Sequence, residues 1–83
     1  MSLPAIAILM PGDMGHGVGA ALVAAFEAQL RAKDVRLLIV ETSGLPDFAQ
    51  ARGFYAACGY ACVATIPDYW EDGDDKVIFS RRL

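Results

Sequence analysis

A length of 83 residues bounds this chain to one small domain, and 55% of its residues are hydrophobic, rich for a size that buries only roughly 60–65% of its unfolded surface. Part of that apolar surface is therefore expected to lie against a second subunit or a bound ligand. The formal net charge of −3 and the scattered basic residues exclude nucleic acid as a partner, because no cationic stripe is there to neutralise a phosphate backbone.

In chain order, Ala5–Met10 is a continuous apolar run bounded by Pro4 and Pro11, the pattern of a buried strand. It is too short to span a bilayer and has no basic leader, which argues against a membrane helix or a signal peptide and for a cytoplasmic protein. After a glycine-rich stretch, Val18, Leu22, Ala25, Phe26 and Leu30 recur at spacings of three and four, with Glu27, Arg31 and Lys33 largely off that stripe. This predicts an amphipathic helix of about four turns. Arg36–Glu41 reads as a second buried strand, ending at the turn-prone Thr42-Ser43-Gly44. A second helix is expected from Pro46-Asp47, where proline and a carboxylate suit the first turn, to Gly59, a natural C-terminal stop. Gly53 inside it points to close packing or a nearby ligand, since glycine in a helix costs about 1 kcal/mol relative to alanine. Tyr60–Ile66 and Lys76–Ser80 read as two further strands, joined by an acidic link from Asp68 to Asp75 expected to be a solvated hairpin loop.

The stretch Pro11-Gly12-Asp13-Met14-Gly15-His16-Gly17-Val18-Gly19 runs from the first strand into the first helix. Closely spaced glycines let the backbone approach a ligand, and the unpaired N–H groups at a helix start favour an anion, phosphate above all. It is not a nucleotide P-loop, because the Gly-Lys-Ser/Thr ending is missing. No metal site is expected. Cys58 and Cys62 have only the distant His16 for company and read as reduced thiols of a cytoplasmic protein.

Two motifs in this order, the loop Met14-Gly15-His16-Gly17-Val18-Gly19 and the later Ala51-Arg52-Gly53-Phe54-Tyr55-Ala56-Ala57-Cys58-Gly59-Tyr60, resemble those of GCN5-related N-acetyltransferases (GNAT). The likeness runs from Ala5 onward and matches the C-terminal half of that family, its acetyl-CoA-binding core. The resemblance implies a single α/β domain over residues 1–83, a truncated GNAT-type fold in the order β-α-β-α-β-β with a mixed sheet flanked by two helices. It implies acetyl-CoA as co-substrate and an unidentified primary amine as acceptor.

On this resemblance the backbone of Gly15, Gly17, Val18, Gly19 and Ala20 would cradle the pyrophosphate, which reconciles an acidic protein with an anionic ligand. Met14 and His16 stand in the same loop, Met14 where the family carries Gln or Arg. The pantetheine arm would run along the backbone where Ala5–Met10, at Leu9, parts from Arg36–Glu41. Arg52 could reach the ribose phosphate. Tyr55 stands where the family places a tyrosine that protonates the departing thiolate, and Glu41 is a candidate general base.

Complete members of the family carry further strands and two helices before the segment that starts here at Ala5. The open edge of Ala5–Met10 therefore points to a homodimer that completes its sheet. The alternatives are half of a split acetyltransferase, or a module that binds acyl-CoA without catalysis.

Overall fold

A computed structural model describes residues 4–8 and 18–83. Strand β1 (Pro4–Ile8) is followed by α1 (Val18–Ala32), β2 (Leu37–Ser43), a single 3-10 turn (Pro46–Phe48), α2 (Ala49–Ala57), β3 (Ala61–Glu71) and β4 (Asp74–Arg82). The strands form one mixed sheet in the order β1-β2-β4-β3. β1 pairs parallel to β2, from Pro4 opposite Leu37 to Ile8 opposite Glu41, while β4 runs antiparallel to both of its neighbours. The expected α/β order and mixed sheet are those observed, with β1 at the sheet edge.

Alternation along β2 sends Leu38, Val40 and Thr42 to one face and Leu37, Ile39 and Glu41 to the other. Val77 and Phe79 of β4 lie opposite Thr42 and Val40 and share the first face. There Leu38, Val40, Val77 and Phe79 form the core with Ala51 and Tyr55 of α2 and with Tyr60, and Val23 and Leu30 of α1 pack against it. Both helices thus cover the same face.

Each helix stops by the same device. The N–H of Asp34 bonds to the Arg31 carbonyl and that of Val35 to Leu30, with Asp34 at φ 63°. In α2 the N–H of Gly59 bonds to Ala56 and that of Tyr60 to Tyr55, with Gly59 at φ 92°. These are Schellman stops, and the second explains why glycine is required at position 59.

Four expectations need correction. The inward stripe of α1 is Val23, Glu27 and Leu30, whereas Leu22 and Phe26 are exposed. The spacing was right, but the face is rotated about one residue, because the buried Glu27 finds partners across the core. The strands outrun their sequence limits, with β2 reaching Ser43 and β4 spanning Asp74–Arg82. The acidic link is mostly strand: only Asp72-Gly73 makes the turn, with Gly73 at φ 83°. Asp68 enters at φ 55° in an irregular stretch of β3, and its Oδ1 accepts the Gly73 N–H at 2.7 Å. Finally, Gly53 is not closely packed, since a Cβ there would meet nothing within 4 Å.

Candidate functional site

The C-terminal stop of α2 builds the centre of the site. A Schellman motif brings the residue after its glycine against the helix three positions before the cap. Here that contact joins Tyr60 to Tyr55, edge to face, with ring centroids 5.7 Å apart. Phe54 at 5.3 Å and Phe79 at 6.1 Å complete an aromatic box around the Tyr55 ring.

Tyr55 is 1% exposed, and its hydroxyl has no hydrogen-bond partner among the described residues. Such a group is expensive to bury and calls for an explanation. Burial, with a smaller contribution from Cys58, pushes the phenol up to about 12. It therefore remains protonated at neutral pH and has a proton to donate.

On the other face, Glu41 meets Lys76, whose Nζ lies 2.7 Å from Oε1. The hydrogen bond to Glu41 raises the lysine pKa, against the opposing effect of desolvation. The same ammonium lies 4.0 Å from the centroid of the Tyr69 ring, a cation–π contact, and 5.7 Å from that of Trp70. The Trp70 indole reaches across to donate to the Thr42 carbonyl at 3.2 Å. Tyr69 and Trp70 nonetheless keep much of their surface open.

The two expected catalytic residues are therefore on opposite faces of the sheet: Tyr55 sits among the helices, and Glu41 at the last described β1–β2 pair projects to the far side. Arg52 anchors the connection after β2, its Nη1 donating to the carbonyls of Ser43 at 2.7 Å and Leu45 at 2.9 Å. Ser43 Oγ in turn accepts from Leu45 N–H. Val18, Gly19 and Ala20 open α1, where first-turn N–H groups have no partner within the helix. Leu9, Met14, Gly15, His16 and Gly17 lie outside the described residues. No cluster of metal-ligating side chains occurs among the described residues.

Sequence reasoning did not find Lys76, Tyr69, Trp70, Glu27 or Tyr60 as parts of the site. Lys76 carried one signal, its place on the Glu41 face of β4 by strand alternation. The others depend on contacts between elements distant in sequence.

No protein-family model matches the chain, and no curated protein matches it. Solved structures do. A protein assigned to the GNAT acetyltransferase family, from Desulfovibrio desulfuricans, superposes with a TM-score of 0.82 at 31% identity, over 94% of this chain and 53% of its own length. Ard1 from Thermoplasma volcanium matches at TM-score 0.74 and 24% identity, over 95% and 55%. YncA from Salmonella typhimurium, solved with its cofactor acetyl-CoA, matches at 0.73 and 14%, over 92% and 48%. The chain spans about half the length of these neighbours. It is an α/β domain of acetyltransferase type. More particularly, it has the architecture of the C-terminal half of the GNAT fold.

Proposed function

We propose that this chain binds acetyl-CoA and transfers its acetyl group to a primary amine. The observation that carries the reading is the buried Tyr55 hydroxyl, a donor that finds no acceptor among the described residues. Acetyl-CoA supplies the activated acetyl group as a thioester. Tyr55 gives its proton to the sulfur as the C–S bond breaks, and solvent restores it afterwards. Glu41 takes the proton released by the amine, directly or through water, using the carboxylate oxygen that Lys76 does not hold. The pyrophosphate is held by the backbone from Gly15 to Ala20, with Met14 and His16 in the same loop, Leu9 beside the pantetheine arm and Arg52 near the ribose phosphate.

The second reading is a module that binds acyl-CoA without turnover, or half of a split enzyme. We place the protein in the cytoplasm, in keeping with the free thiols of Cys58 and Cys62. We infer a homodimer that pairs the β1 edges of two copies. Among the described residues no helix is long and apolar enough to cross a membrane.

Calorimetric titration with acetyl-CoA, followed by thiol release with a panel of primary amines, tests the function. Binding with acceptor-dependent release supports transfer, binding alone supports the module, and no binding refutes both. Sedimentation at micromolar concentration tests the dimer, and a stable monomer refutes it.

A further inference from the structure

Glu27 is the buried charge that the proposed chemistry leaves unused. It lies in the middle of α1, only 4% exposed. Its Oε2 accepts the Tyr60 hydroxyl at 2.6 Å and the Arg81 Nη1 at 3.3 Å. The same Arg81 nitrogen donates at 2.8 Å to the carbonyl of Cys58, the residue that caps α2. One carboxylate thus ties α1 to the end of α2, to the entry of β3 and to β4.

Stability is a weak explanation for such a cluster. Replacing a buried ion pair with apolar residues of similar volume is often neutral or favourable. What the cluster does fix is Tyr60. The Tyr60 ring is one wall of the box around Tyr55, and Glu27 holds the far end of that ring through its hydroxyl. A proton donor works only within a narrow geometry, and misplacement by about 1 Å can cost around a hundredfold in rate.

We propose that Glu27, with Arg81, is a positioning residue that sets the place of the Tyr55 phenol through Tyr60. This rests on reading Tyr55 as the proton donor. Glu27 and Arg81 touch no reacting atom. They hold the ring that holds the donor.

The decisive variant is Glu27→Met/Tyr60→Phe. It removes both partners of the 2.6 Å hydrogen bond together, so no buried orphan remains between them, and Arg81, whose side chain is 35% exposed, can turn to water. A folded protein is expected, judged by circular dichroism and a cooperative thermal transition. If the double variant does not fold, Tyr60→Phe alone, which frees the ring from Glu27 and leaves the carboxylate its Arg81 partner, takes its place.

Two readouts are taken on the folded variant. Tyrosine-ring carbon NMR should show the Tyr55 midpoint falling by at least one pH unit from its position near 12, as water reaches the loosened hydroxyl. Acceptor-dependent thiol release should show kcat falling about tenfold or more, with the Kd for acetyl-CoA within threefold of wild type. A folded variant in which the Tyr55 midpoint and kcat both stay at wild-type values overturns the inference. Wild-type protein that fails to bind acetyl-CoA overturns the functional reading instead, while the NMR titration still decides whether Glu27 positions Tyr55.

Discussion

Removing the Tyr55 hydroxyl should make the free protein more stable and the proposed acetyl transfer much slower. The Tyr55→Phe change keeps the ring and its aromatic contacts and deletes only an oxygen that is buried without a partner among the described residues. Leaving such a group unsatisfied costs about 1–3 kcal/mol. Unfolding entropy near 2.1 cal/mol/K per residue gives about 0.17 kcal/mol/K for this length, so Tm should rise by about 6 °C for each kcal/mol relieved. Acetyl transfer should fall by roughly 10²–10⁴-fold, the range for a positioned proton donor. The alkaline limb gives an independent check. Because burial pushes the folded-state phenol up to about 12 from 10, the group leaves stability independent of pH below 10 and lowers it as pH rises from 10 through 12. The phenylalanine variant should lack that loss. Scanning calorimetry of both proteins between pH 7 and pH 11, with thiol release alongside, reads all three effects. A lower Tm at pH 7 would mean that the hydroxyl has a partner in the folded protein, and an unchanged rate would return Tyr55 to a purely structural role.

Gly53→Ala should raise Tm by about 5 °C, since the added Cβ meets open space and alanine is favoured in a helix by about 0.8–1 kcal/mol; a fall in Tm would show an unseen backbone constraint. Gly59→Ala should do the opposite, because a side chain at φ 92° costs about 1–2 kcal/mol, and a thermal melt matching wild type would refute the Schellman account. Gly19→Val, in the first turn of α1, should weaken acetyl-CoA binding at least tenfold in calorimetry by blocking close approach of the backbone. Unchanged affinity with the fold intact would remove the helix start from the cofactor site.

Much of the fold was legible because it rests on local rules. The apolar run before Pro11 and the run ending in Leu-Leu-Ile-Val marked the two parallel strands, and the first helix followed from its three-four spacing. Gly59 marked the end of the second helix because glycine takes a left-handed cap at no steric cost. The errors came where tertiary partners overrule periodicity. Glu27 belongs on a solvent face by its chemistry, and only Tyr60 and Arg81, more than thirty and fifty residues away, make its burial tolerable. The carboxylates after Ile66 looked like loop composition, yet two of them make local bonds that let the hairpin close, Asp68 to Gly73 and Asp75 to Asp68, and a third, Asp74, accepts from Ser43 of β2. Of the site, Tyr55 was readable from its motif, but its isolation from any acceptor was not, since that depends on what surrounds it.

The separation of Tyr55 from Glu41 bears on how acetyl transfer would be organised. A sheet with intact hydrogen bonding is a barrier between its faces, and a reacting group can contact both only where two strands part. The described β1–β2 pairing runs from Pro4 to Ile8, which lies opposite Glu41, while β4 pairs with β2 along its whole length from Leu37 to Ser43. In the proposed reaction the thioester sulfur lies on the helix face, where a neutral phenol can protonate it, and the amine arrives on the face of Glu41 and Lys76. That arrangement keeps the acid and the base apart, so neither neutralises the other. It also gives each a fitting environment: a dry aromatic box holds the phenol protonated, and the Lys76 ammonium lies 2.7 Å from the carboxylate. In the proposed reaction it is the sheet that does the separating.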